Sequence, residues 1–191
     1  MNIAIISASI REGRETHKVS EELCRRLRKQ ENINPSLIDL KEYALPLFEA
    51  LYSEENASEA TSKLRRYLHE ADAMIFVSPE YNGSYTAALK NMTDGFSKAH
   101  FSGKPIGVVS VSSGSLGGMR AAQLMQQLVL ALRGYPIPQM LLVPDVDQKF
   151  SDEGELLDQA FGKNIALFLE QFLWFTEAIT AKKQQEKELI S

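Results

Sequence analysis

The chain has 191 residues, 44% hydrophobic and 24% charged, with a formal net charge of −4. This is one domain's length with room for a sizeable core. The charge is too mild for a nucleic-acid partner, and no Lys/Arg cluster interleaved with aromatics occurs. Cys24 is the only cysteine, which excludes an internal disulfide and a cysteine metal cluster. It falls in a helical pattern with Val19, Leu23 and Leu27 and reads as an inert packed thiol.

The N-terminus opens directly on a strand pattern, with no basic region, apolar core and cleavage site, so a cytoplasmic protein is expected. No apolar run reaches the length of a membrane span. In chain order, short Ile/Val-rich runs at 2–7, 35–40, 73–78, 105–111 and 137–143 predict five strands. Helical spacing separates them over 16–29, 58–71, 85–98, 118–132 and 155–179. Five strands alternating with five helices predict a parallel sheet covered on both faces, doubly wound by right-handed crossovers. No repeat or linker divides the chain, so 1–191 is read as one domain. Its charged tail, 181–191, is read as a solvated helix end or a frayed terminus.

Polar loops follow three of the runs, where open α/β sheets bind ligands. After 2–7 come Ser9, Arg11, Arg14, Thr16, His17 and Lys18, at the start of a helix. Hydroxyls, cations and helix N–H groups at one place suit a phosphate. An ordinary basic loop capped by Thr16 is the alternative. After 73–78 the chain reads Pro79-Glu80-Tyr81-Asn82-Gly83, a turn-rich loop with a fixed entry at Pro79. After 105–111 comes Ser112-Ser113-Gly114-Ser115-Leu116-Gly117-Gly118, whose glycines permit close backbone approach and positive φ. A dinucleotide-binding dehydrogenase would need G-x-G-x-x-G after the first run, and Ser7-Ala8-Ser9-Ile10-Arg11 is not that; Asp39 alone does not supply the fingerprint. A serine hydrolase would need G-x-S-x-G, which is absent from the third loop.

Together, Ser9-Ile10-Arg11, Pro79-Glu80-Tyr81-Asn82 with Leu89-Lys90-Asn91 and Asp94, and the Gly-rich stretch 112–121 resemble the NADPH-dependent FMN reductase family. These are flavodoxin-like flavoproteins that include azo- and quinone reductases. The likeness spans roughly 1–145. It implies strand order 2-1-3-4-5 and FMN bound at the carboxyl ends of strands one, three and four, with NADPH or NADH as hydride donor. A small-molecule acceptor then takes the electrons: a quinone, an azo compound, a metal oxyanion or free flavin. The resemblance assigns Ser9, Arg11, Arg14, Thr16, His17 and Lys18 to the phosphate. It assigns Pro79, Glu80, Tyr81, Asn82 and Gly83 to the ring edge, and Ser113, Gly114, Gly117 and Gly118 to the pyrimidine end. There the helix starting near Gly118 would direct N–H groups at a flavin oxygen. No catalytic acid or base is expected, because the cofactor carries the chemistry, and Glu80 is read as structural. Arg120 is left between an NADPH phosphate and a partner chain.

The family also implies a homodimer or homotetramer through 85–98 and 118–132. An apolar surplus there (Leu89, Met92, Phe96, Met119, Leu124, Met125, Leu128, Val129, Leu132) argues the same way. Lys90, Asn91 and Asp94 are read as interface or cap residues, and Gly95 stands where relatives often carry Trp. A flavodoxin-type electron carrier is the alternative function; the mild charge and the single ring-loop aromatic, Tyr81, favour the reductase.

Overall fold

The computed structural model describes residues 1–53 and 57–190, the side chains of 187 and 190 excepted. β1 (Asn2–Ser7), β2 (Asn34–Asp39), β3 (Ala73–Pro79) and β4 (Pro105–Val111) are parallel strands in the order β2-β1-β3-β4, followed by β5 (Tyr135–Pro136). The expected topology is therefore observed. β3 and β4 are buried at every position, as their unbroken apolar sequence requires of strands covered on both faces.

The fifth position departs from the expected continuous strand over 137–143. β5 pairs with Pro105 and Ile106, and a separate β6 (Leu141–Val143) pairs with Val109–Val111. Pro138 lies in the gap and cannot donate to a ladder, so the ribbon leaves the sheet there and rejoins it.

α1 (Glu15–Leu27) and α6 (Phe161–Ile190) cover one face, packing Val19, Leu23, Phe168 and Phe172 against Ile3, Ile5 and Val109. Gly107 makes that approach possible, since a Cβ there would lie 2.9 Å from the Phe168 ring and 3.1 Å from the Phe172 ring. α6 starts six residues later than expected, where Asp158 accepts from the Phe161 N–H at 2.9 Å. It runs on through the charged tail to Ile190, so the tail is a helix end; Ser191 lies outside the described residues.

α3 (Glu59–Glu70), α4 (Ala87–Gly95) and α5 (Met119–Ala131) cover the other face, and a short α2 (Leu40–Tyr43) follows β2. α4 starts two residues later than expected, where Thr86 caps it through the Leu89 N–H, and ends three residues earlier, where Phe96 turns extended. The Thr86 hydroxyl also donates to Ala8 O at 2.8 Å, joining α4 to the chain after β1.

Most of the anticipated apolar surplus on α4 and α5 belongs to the single-chain core. Leu89, Met92, Phe96, Met125, Leu128, Val129 and Leu132 are all buried, whereas Met119 and Leu124 are exposed. Asn91 holds the segment after α2: its Oδ1 accepts from Phe48 N, and its Nδ2 donates to Pro46 O, both at 2.8 Å. The Tyr52 ring occupies the space a side chain at Gly95 would take, and Lys90 pairs with Asp94 on α4 itself. Asn91 and Gly95 thus anchor a surface segment within one chain.

Candidate active site

The loops after β1, β3 and β4 converge on a cleft of about 280 Å³. Ser9, Arg11, Arg14 and Thr16 line it from the first loop, Pro79, Glu80 and Tyr81 from the second, and Ser113 from the third. Eight of the fifteen expected residues thus meet at one place. Gly13, Glu15, Val111, Ser112 and Val146 complete the lining. Gly13 and Ser112 adjoin residues already singled out. Val146, just after β6, carries no sequence signal of its own.

At the first loop, Arg14 is the N-cap of α1 and no side chain caps this helix. The N–H groups of its first turn therefore remain available beside the cleft, where the dipole favours an anion. The cations here differ in what they already hold. Arg14 makes a bidentate ion pair with Asp39 at the end of β2 and also donates to Ser9 O at 2.7 Å. Lys18 pairs with Glu15 at 2.9 Å. Arg11 has no ion-pair partner among the described residues; its guanidinium lies 5.8 Å from the centre of the Tyr81 ring.

His17 does not line the cleft. Its Nδ1 lies 3.1 Å from Ser7 Oγ and 3.7 Å from Asp39. Serine and aspartate thus approach the same ring nitrogen, so the three cannot relay a proton as a hydrolytic triad does. Burial pushes the Cys24 thiol up, which keeps it unreactive.

The second loop is a tight reversal. Asn82 and Gly83 both have positive φ, at 51° and 81°, and Tyr81 and Ser84 exchange backbone hydrogen bonds of 2.8 and 3.1 Å. Asn-Gly is the residue pair such a turn favours. The Glu80 N–H donates to Val111 O at 3.0 Å, so the Glu80 and Tyr81 N–H groups are committed within the chain. The Tyr81 hydroxyl sits 3.2 Å from Ser9 Oγ and bridges the first and second loops.

The third loop brings Ser113 to the cleft, and its glycines at 117 and 118 pack against the chain itself. A Cβ on Gly118, at φ 75°, would overlap Ser110 Oγ and approach Glu80 Cβ at 3.2 Å. One on Gly117, at φ 60°, would press on Leu142 and on the Pro144 nitrogen at 3.0 Å. Both glycines are thus required by close packing of the chain on itself. The N-terminus of α5 is taken by Glu80, whose carboxylate accepts from the Ala121 N–H at 3.3 Å and from Arg120 Nε at 3.0 Å. The Glu80 side chain thus ties the second loop to α5 with Arg120 as its ion partner, and the helix end is not free to meet a ligand oxygen.

Burial raises the Glu80 carboxyl, but the Arg120 and Ala121 hydrogen bonds outweigh it and hold the group below the ordinary glutamate value. A depressed carboxyl stabilises the fold above its unfolded pKa, about 4.5, and loses that contribution as pH falls through the folded value. Arg120 is largely exposed, so the effect is modest. Glu80→Gln is expected to lose stability near neutral pH and to show a flatter acid limb below about pH 4.5 in urea unfolding. Parallel pH profiles for the two proteins would show that Glu80 is not held in this way.

A parallel sheet in order 2-1-3-4-5 with three loops converging at its carboxyl edge defines a flavodoxin-like α/β protein. Solved structures agree on the fold. FerB from Paracoccus denitrificans, a flavoenzyme NAD(P)H:(acceptor) oxidoreductase, superposes with a TM-score of 0.76 at 22% identity, covering 93% of this chain and 97% of that one. A flavodoxin from an archaeon gives 0.58 at 14% identity, covering 94% and 99%. The family model for NADPH-dependent FMN reductase matches residues 1–148. A quinone reductase of Pseudomonas putida is 32% identical over 167 residues, 83% of this chain and 86% of its own. An FMN-dependent NADPH-azoreductase of Staphylococcus saprophyticus is 28% identical over 178 residues, 91% and 94%. The chain belongs to the NADPH-dependent FMN reductase family and is an oxidoreductase.

Proposed function

We propose that this chain binds FMN across the cleft and uses it as an NAD(P)H-dependent reductase. The acceptor is a quinone, an azo compound, a metal oxyanion or free flavin; the names of the P. putida and S. saprophyticus relatives supply the first two classes. The observation that carries this reading is the uncapped N-terminus of α1 beside Arg11, a cation with no ion partner among the described residues.

That donor set fits a phosphate monoester. In this reading Arg11, with the Ser9 and Thr16 hydroxyls, holds the phosphate. The ring lies between Tyr81 and the Ser112–Ser113 turn, with Val111 and Val146 as apolar walls. When bound, FMN supplies the hydride and electron chemistry. The protein binds and orients: Arg14 and Asp39 fix the first loop, Glu80 and Arg120 fix the second against α5, and Tyr81 ties the first to the second. No side chain here acts as acid or base. His17 and Lys18 act as supports of the first loop, and Asn82, Gly83, Gly114, Gly117 and Gly118 set the shape of the other two.

Among the described residues no helix is long and apolar enough to cross a membrane; the proposal includes a cytoplasmic setting. It also includes self-association to a dimer or tetramer. Exposed Leu116, Met119 and Leu124, near the start of α5, are the support that remains for a contact through this side.

Calorimetric titration is expected to show saturable FMN binding at micromolar levels. Anaerobic mixing with NADPH should then bleach the bound flavin within seconds. Absence of binding removes the site. Binding with reduction only by dithionite or a partner reductase makes the chain an electron carrier.

A further inference from the structure

Ser9 is fully buried, and among the described residues its Oγ has one hydrogen-bond partner, the Tyr81 hydroxyl at 3.2 Å. Tyr81 stands at the surface, 36% exposed, with the Arg11 guanidinium 5.8 Å from its ring centre. One aromatic side chain of the second loop therefore touches two groups of the first that suit a phosphate, 72 positions away in sequence for Ser9. The backbones on both sides are fixed. Tyr81 and Ser84 exchange hydrogen bonds of 2.8 and 3.1 Å, and Arg14 holds Ser9 O at 2.7 Å. What is left to respond to a ligand is the order of the hydroxyl protons and the reach of the Arg11 side chain.

We infer that Tyr81 is a positioning residue that couples the phosphate end of the cleft to its ring end; the inference rests on the FMN reading. A hydroxyl has one proton to donate and two lone pairs. When a phosphate oxygen accepts from Ser9 Oγ, Ser9 has only acceptor capacity left for Tyr81. The Tyr81 hydroxyl must then donate to Ser9. The row from Tyr81 through Ser9 to the phosphate points one way, and each hydrogen bond polarises the next around a buried serine. The phosphate charge also draws Arg11 toward itself, which frees the ring face beside the guanidinium for a flavin. Both effects have the same sign: a filled phosphate end fixes the Tyr81 ring and clears it for the isoalloxazine. Coupling of this kind is reciprocal, so a filled ring end strengthens phosphate binding by the same factor.

FMN carries both groups in one molecule and hides the coupling; two fragments expose it. Riboflavin is titrated into the full chain by flavin fluorescence, first in chloride and then over a series of inorganic phosphate at matched ionic strength. Phosphate is expected to tighten riboflavin by about fivefold, the lower end of typical coupling between sites. Tyr81→Phe keeps the ring and removes the hydroxyl, and is expected to lose most of that tightening. Ser9→Ala removes the middle of the row and is expected to do the same at saturating phosphate. A merely structural role would shift riboflavin affinity equally with and without phosphate and leave the ratio intact. Riboflavin affinity that phosphate leaves unchanged or weakens, or equal tightening in Tyr81→Phe, would overturn the coupling even where FMN itself binds. Absence of saturable FMN binding in the parent protein would instead remove the FMN reading and the coupling together.

Discussion

Asp39→Ala is expected to lower stability by about 3 kcal/mol or more in urea unfolding. Asp39 is buried and receives both guanidinium nitrogens of Arg14, itself mostly enclosed. Its Oδ1 also accepts from the Lys41 N–H at 3.0 Å and so starts α2. Alanine removes the cap and strands the Arg14 charge in a partly dry site, the more damaging half of breaking such a pair. The change reaches the cleft as well, because Arg14 also holds Ser9 O. Replacing both partners by apolar residues, Arg14→Met with Asp39→Leu, is expected to recover most of the lost stability. A loss below about 1 kcal/mol for Asp39→Ala would place the pair among solvent-screened surface bridges.

The fold was legible where each segment carried its own signal. The runs at 2–7, 73–78 and 105–111 are apolar on both faces, and only a sheet covered on both sides accommodates that. The fifth strand was legible in place but not in form, since the interruption at Pro138 depends on where β4 offers partners. The start of α6 depended on Asp158, which the helical spacing before it concealed. The apolar residues of α4 and α5 misled because a helix facing a wide sheet and two neighbours buries more than one narrow stripe.

At the cleft, residue types were readable and their commitments were not. Arg11 and Arg14 look equivalent in the sequence, three positions apart. They differ because Asp39, at the end of a neighbouring strand, reaches only the second. The glycines at 117 and 118 read as an approach for a ligand, whereas Ser110, Leu142 and Pro144 of the chain itself require them. Glu80 reached the N-terminus of α5 across forty positions of sequence, a contact that no local pattern encodes.

Because Arg14 is neutralised and Arg11 is not, the two arginines should separate in binding experiments. Arg11→Ala is expected to weaken FMN by roughly 10- to 150-fold while changing riboflavin far less, since riboflavin lacks the phosphate. The range follows from about 1.5–3 kcal/mol for a lost charge-assisted hydrogen bond. Arg14→Ala should instead weaken both ligands together, because it loosens the loop that carries Ser9 and Arg11. The cation–π contact of Arg11 with Tyr81 is a complication: losing it alone would disturb the ring side of the cleft and so affect riboflavin too. That contribution is about 0.5–1 kcal/mol at an exposed site, less than fivefold to sixfold, and is smaller than the phosphate effect. Calorimetry of FMN and riboflavin against the parent protein and both variants measures the ratio directly. An unchanged ratio in Arg11→Ala would mean that the phosphate lies elsewhere, and the reading of the first loop would fall with it.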